Sequence, residues 1–263
     1  MSARKIAHRL FLFLLLSVMA LSAGTLFYHF VIVPGRNQQM TEQLKEDYSP
    51  KPVPGEASPE AASPTEEPAG KESYPAMVDL TALQEQYPDV KGWLTIPGTG
   101  IDYPVLQGSQ AEPEYYLRKD YQGTYDINGS LFFQWNCAIP DGKNLVIYGH
   151  NMNSGVMFGT LDSFVDEGYR EAHPIVLLQM LDGVHEYRIR AVLKADVSMF
   201  DFRQAVFSEP DGLQEYLQKA TAMKVSGDSG KARNPVQLLT LVTCSYEWNG
   251  ARTIVIAVRE TEE

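Results

Sequence analysis

Twenty-four consecutive residues, Leu10 to Val33, carry no formal charge and are mostly apolar. As a helix rising ~1.5 Å per residue the run spans about 36 Å, enough to cross the ~30 Å hydrocarbon core of a bilayer. Arg4, Lys5 and Arg9 precede it with no acidic residue among them, and the next cation is Arg36. The positive-inside rule therefore places a leader, residues 1–9, in the cytoplasm and everything after residue 33 outside the cell membrane. Ala20-Leu21-Ser22-Ala23 also offers small residues at which a signal peptide is cleaved. The apolar run continues ten residues past Ala23, which favours an uncleaved, single-pass signal anchor over residues 10–33.

Residues 34–75 hold eight of the 16 prolines, with 8 acidic and 4 basic residues. Such a stretch buries too little apolar surface to offset the entropy of ordering it, and it reads as a flexible stalk. The remaining 188 residues, 76–263, carry a net charge of −10. That balance lacks the basic footprint of a nucleic-acid binder, so nucleic acid is not an expected partner. Two cysteines, Cys137 and Cys244, make no disulfide framework and lack the paired spacing of a zinc site.

From residue 76 onward, short apolar runs separated by turn signals predict a mainly β domain. Candidate strands are Ile101 to Leu106, Ser130 to Trp135, Asn144 to Tyr148, Ile175 to Met180, Glu186 to Leu193, Val236 to Thr243 and Thr253 to Arg259. A short helix is expected near Val78 to Gln86. A second is expected from Ser208 to Met223, where Ser208, Pro210 and Asp211 fit a capping box and Leu213, Tyr216, Leu217, Ala220 and Met223 recur at helical intervals. Short strands with a few helices fit a small barrel or sandwich better than a parallel α/β sheet.

An outside, anchored β domain is either a binding module or an enzyme, and the scarce reactive residues bear on the choice. Cys244 ends the apolar run Gln237 to Thr243, at a strand exit where a substrate can reach a thiol. Arg252 opens the next strand candidate. If the intervening loop centres on Trp248, Cys244 and Arg252 face each other; if Asn249-Gly250 forms a tight turn, Arg252 faces Glu247 instead. A cation beside the thiol favours the nucleophilic thiolate, and its donors suit a developing oxyanion. His150 follows the strand Asn144 to Tyr148 and Gly149, again at a strand exit, whereas His173 and His185 read as solvated surface residues. A Cys137 to Cys244 disulfide is also permitted outside the cell and would abolish such a site.

Thr240-Leu241-Val242-Thr243-Cys244 with Arg252 resembles the TLxTC…R signature of sortases, the cysteine transpeptidases of Gram-positive surfaces. Pro88 to Thr99, Ile101 to Gly108, Tyr115-Tyr116-Leu117, Asn144 to Met152 and Met157-Phe158-Gly159 extend the likeness toward class B sortases over nearly all of residues 78–260. The residue before Thr243, often Ser in class B, is Val242 here. The resemblance implies an eight-stranded β-barrel with short peripheral helices, one of them between two late strands, and a catalytic domain over residues 76–263. It implies that Cys244 is the nucleophile, His150 the general acid and base, and Arg252 the oxyanion-stabilising or substrate-stabilising cation. It also implies cleavage after Thr in the C-terminal sorting motif of a secreted protein, a thioester, and transfer to an amine of a peptidoglycan precursor or a pilin. No metal and no organic cofactor is implied. Cys137 belongs to none of these motifs.

Overall fold

The computed structural model describes residues 3–28, 32–50, 74–228 and 234–260. Eight strands, β1 (Val90–Thr95), β2 (Asp102–Gln107), β3 (Leu131–Phe133), β4 (Asn144–Tyr148), β5 (Ile175–Met180), β6 (Gly183–Ala195), β7 (Pro235–Cys244) and β8 (Arg252–Glu260), close into a barrel in the order β1-β2-β3-β4-β7-β8-β6-β5. β2 runs parallel to β3 and β4 parallel to β7; every other neighbouring pair is antiparallel. This is the mixed eight-stranded barrel with peripheral helices that the motifs imply.

Alternate side chains on the first strands serve two cores, because successive residues of a strand point to opposite faces. Leu94, Val105, Leu131 and Phe133 fill the barrel, while Trp93, Leu106 and Phe132 point outward into a second cluster with Leu80, Leu83 and Val90. Burial on both faces turns these strands into continuous apolar runs in the sequence. α3 (Leu80–Gln86) covers the outer cluster, its N-terminus capped by the Asp79 carboxylate, which accepts from the Ala82 amide at 3.0 Å. The Gln179 side chain fastens the approach to α3 by accepting from the Met77 and Val78 amides at 2.7 and 3.1 Å and donating to the Val78 carbonyl at 2.7 Å.

The region read from composition as a stalk begins differently. Residues Val33–Asp47 form α2, the next described α-helix after α1 (Ala3–Phe27). Leu44 of α2 is 3 % exposed, buried in the outer cluster. Lys45 pairs with Asp102, which also accepts from Trp93 Nε1 at 2.6 Å and Thr95 Oγ1 at 2.7 Å. Asn37 is buried as well and Tyr48 packs against the same cluster, so a helix of polar composition docks through a few of its residues. The Tyr48 carbonyl then accepts from the Asp79 amide at 2.7 Å, and the Tyr74 hydroxyl donates to Glu186 of β6 at 2.6 Å, so the described chain on both sides of residues 51–73 is bonded to the barrel domain. Residues 51–73, the remainder of the expected stalk apart from Tyr74 and Pro75, lie outside the described residues.

The late helix also departs from expectation at its start. α5 spans Gly212–Met223, not Ser208–Met223, with Asp211 at its N-cap and no side-chain cap bond. Tertiary packing overrides the local capping box: the chain turns through Glu209 to Gly212, the Gly212 amide donating to the Glu209 carbonyl at 3.1 Å, and this brings Phe207 onto Tyr216 with ring centroids 5.6 Å apart. The expected stripe of Leu213, Tyr216, Leu217 and Ala220 is buried.

Burial opposes the charge on Asp102, but the bonds from Lys45, Trp93 and Thr95 outweigh it and hold the carboxyl below its usual value. A depressed carboxyl contributes stability above its unfolded pKa of about 4 and loses it as pH falls through the lower folded value. α2 is therefore expected to stay docked from pH 8 down to about pH 4 and to loosen below that. At pH 7, Leu44→Ala is expected to destabilise the docked helix by about 2–4 kcal/mol and Asp102→Asn to loosen it. In hydrogen exchange both variants should speed residues 35–47 while β7 and β8 keep their protection.

Candidate active site

β7 is hydrogen-bonded on both sides, to β4 in parallel register and to β8 in antiparallel register. On the β8 side Thr243 faces Thr253 and Cys244 faces Arg252. Of the two registers the sequence allowed, the structure adopts the one that opposes thiol and guanidinium. The turn is closed by the Ser245 amide donating to the Ala251 carbonyl at 3.0 Å and the Ala251 amide to the Trp248 carbonyl at 3.1 Å.

On the other side Tyr148 of β4 pairs with Val242. The pairing continues past the strand end: the Gly149 amide donates to the Val242 carbonyl at 3.2 Å, Thr243 Oγ1 donates to the Gly149 carbonyl at 2.8 Å, and Asn151 Nδ2 donates to the Cys244 carbonyl at 2.9 Å. His150 lies between two residues that are tied to β7 at positions 242–244. Gly149 is required here because a Cβ would sit 2.4 Å from Leu131 Cδ2 and 2.7 Å from Phe158 Cδ2. His150, two residues past the end of β4, Cys244, the last residue of β7, and Arg252, the first of β8, thus stand at one end of the barrel.

His150 Nε2 is 2.8 Å from the Leu117 carbonyl, in the 3₁₀ turn Tyr115–Arg118. A carbonyl only accepts, so Nε2 carries the proton and Nδ1 is the free base in the neutral ring. Burial pulls the imidazole below its usual value; the Leu117 bond works against that pull and the nearby Arg118 charge adds to it. Cys244 is a half-buried free thiol, and half-buried Arg252 donates from Nη1 to the Ala251 carbonyl at 2.9 Å. The Ser245 amide is already taken by Ala251, which leaves the guanidinium as the donor group next to the thiol on β8.

The other sequence candidates lie elsewhere. Cys137 is buried, its sulfur accepting from the Val146 amide at 3.3 Å, and burial pushes its thiol up to about 11. Val146 lies four residues before His150, about 13 Å along the strand direction. A disulfide needs Cα atoms within ~7 Å, so Cys137 does not reach Cys244, and both thiols are free. His173 and His185 are half-buried rather than solvated: His173 bonds the Pro97 carbonyl at 3.0 Å and packs on Tyr169, and His185 pairs with Asp182 at 3.0 Å. Among the described residues no group of three or more His, Cys, Asp or Glu side chains is arranged to hold a metal ion. Sequence reasoning missed the roles of Asn151 and the Leu117 carbonyl. Asn151 stands beside His150 in a quoted motif, a signal that was there to use; a backbone carbonyl 33 residues away leaves none.

A family profile described as the sortase domain matches residues 94–260. The chain is 34 % identical over 170 residues to sortase B of Listeria monocytogenes, covering 64 % of this chain and 68 % of that protein. Among solved structures, Clostridium perfringens sortase B superposes with a TM-score of 0.63 at 27 % identity, over 69 % of this chain and all of that one. A Staphylococcus aureus sortase B–substrate complex superposes with the same score at 22 % identity, over 70 % and 86 %.

The two thiols are expected to separate on alkylation. Under native conditions iodoacetamide should label Cys244 and spare Cys137, which becomes reactive only after denaturation; peptide mapping of the labelled chain checks this.

Proposed function

This chain belongs to the sortase B family, whose members are cysteine transpeptidases of surface proteins, and we propose that Cys244 is its nucleophile, His150 its general acid and base, and Arg252 its oxyanion donor. The observation that carries the reading is that Cys244 at the end of β7 faces Arg252 at the start of β8, while His150, just past β4, lies between Gly149 and Asn151, both bonded to β7. In the resting site His150 is neutral with Nδ1 unprotonated, so it accepts the Cys244 proton as the thiolate attacks the carbonyl carbon of the substrate. The carbonyl electrons move to oxygen, where the Arg252 guanidinium holds the developing charge. As the tetrahedral intermediate collapses, His150 returns that proton to the departing amine, leaving a thioester on Cys244. An incoming amine then gives its proton to His150, attacks the thioester and releases the thiolate. The bond from Nε2–H to the Leu117 carbonyl keeps one tautomer through the cycle and supports the transient imidazolium.

The substrate is read as a secreted protein cleaved after Thr in a C-terminal sorting motif, and the acceptor as an amine of a wall precursor or pilin. A sortase B of the same fold, from Staphylococcus aureus, forms a substrate complex, which supports a substrate at the corresponding site of this chain. α1 contains a 20-residue apolar window, His8–Phe27, with mean hydropathy 2.3 and none of it buried in the protein. It is read as the membrane anchor, which puts the site on the outer face where such substrates emerge.

Incubation with NPxTN-, LPxTG- and PPxTG-type peptides, with and without triglycine, followed by mass spectrometry, tests this reading. Cys244→Ala is expected to abolish the acyl-enzyme and both products, Cys137→Ala to leave them intact, and Arg252→Lys to lower kcat roughly 100-fold. Release to water with no transfer to triglycine would instead mark an endopeptidase. Because acylation needs neutral His150 and its pKa is lowered, kcat/KM should hold from pH 7.5 to 6.5 and fall at lower pH as the imidazole protonates.

A further inference from the structure

Behind the three residues lies a polar cluster that the chemistry does not use. Lys194, on β6, faces Thr253 in the β6–β8 pairing, and its neighbour Ala195 faces Arg252. Its side chain is only 13 % exposed, and its ammonium meets three acceptors: Asp162, Ser245 Oγ at 2.7 Å and Glu247 Oε1 at 2.7 Å. An ammonium has three donors, so all are spent. Asp162 in turn accepts from Thr253 Oγ1, and Glu247 accepts from the Ser245 hydroxyl.

These partners come from segments bordering the candidate catalytic residues. Ser245 follows Cys244, Thr253 follows Arg252, and Asp162 lies in the 3₁₀ turn Leu161–Val165, within the β4–β5 connection that also carries His150. Lys194 and Ser245 lower the Glu247 carboxyl to about 2, keeping it ionised at any working pH. A largely buried ammonium is costly unless its charge is compensated, so releasing the turn after Cys244 takes two of its three acceptors away and leaves Asp162 alone to balance it. The cluster thereby resists the movement that would carry the thiol away from Arg252.

We propose that Lys194 is a positioning residue for transpeptidation: by bonding Asp162, Ser245 and Glu247 together, it holds the turn after Cys244 so that thiol and guanidinium stay opposed. This rests on the reading of Cys244 as nucleophile. A clamp of this kind acts on the alignment of reacting groups, not on the groove that binds peptide, so it affects kcat more than KM.

The test uses the full-length chain in detergent, with whichever of the three peptide types the wild type turns over and triglycine as acceptor. Lys194→Met is expected to lower kcat at least tenfold with KM changed less than threefold, and Lys194→Arg to recover most of the loss. Glu247→Gln should lower kcat by threefold or more, and adding it to Lys194→Met should cost nothing further. Circular dichroism monitors folding, and if Lys194→Met does not fold, Glu247→Gln decides alone. Wild-type kcat in folded Lys194→Met, or a loss explained by unfolding while Glu247→Gln keeps full kcat, overturns the clamp. Cys244→Ala in the same assay separates the two claims: turnover that survives it overturns the nucleophile reading and the clamp with it, whereas turnover lost there but kept in folded Lys194→Met overturns the clamp alone.

Discussion

The register of β7 is the constraint on which the site depends. Every residue from Gln237 to Thr243 is buried, so hydrophobicity alone scarcely distinguishes one alignment from its neighbour. The polar members make the distinction. Thr240 Oγ1 donates to Asn144 Oδ1 at 2.8 Å, Thr243 Oγ1 to the Gly149 carbonyl at 2.8 Å, and the Gln237 amide to the Pro140 and Gly142 carbonyls at 2.6 and 2.7 Å. A slip of one residue reverses which face each side chain occupies and leaves these buried groups unpaired, at about 1–3 kcal/mol apiece. Three polar side chains in an apolar strand therefore fix where Cys244 emerges, and His150 and Arg252 inherit their level from it.

The same physics gives the two thiols different fates. Cys137 sits against the middle of β4, where burial disfavours the thiolate. Cys244 stands where β7 leaves the barrel, beside a guanidinium. Side-chain type is identical; the strand position decides whether sulfur is buried packing or a partly exposed thiol, the state the proposed nucleophile needs.

Much of this was legible in the sequence because the informative residues are local signals. β4 and β5 begin and end where their apolar runs do, and His150 and Cys244 each follow such a run. The opposition of Cys244 and Arg252 was readable only as one of two registers, since the turn between them is settled by Ser245, Trp248 and Ala251 backbone bonds and by contacts with Lys194, 51 residues from Ser245. β1 gives no strand signal in the sequence, because Trp93 and Leu94 face different cores and Gly92 interrupts the pattern. The start of α5 was misplaced for the converse reason: a sound local capping signal at Ser208 yielded to the packing of Phe207 on Tyr216.

The docking of α2 changes what the proline-rich region does in the proposed anchored enzyme. A stalk between bilayer and barrel would let the site wander over tens of ångströms. Leu44, Lys45 and the Tyr48–Asp79 bond instead attach the chain to the barrel before residues 51–73 begin, and Met77 and Val78 attach it again afterwards. The described residues on both sides of 51–73 are therefore bonded to the barrel domain, and only positions 28–32 of the sequence lie between α1 and α2. With α1 as the membrane anchor proposed above, so short a connection would hold the barrel in a layer near the membrane, which raises its effective concentration toward any partner held on the same surface.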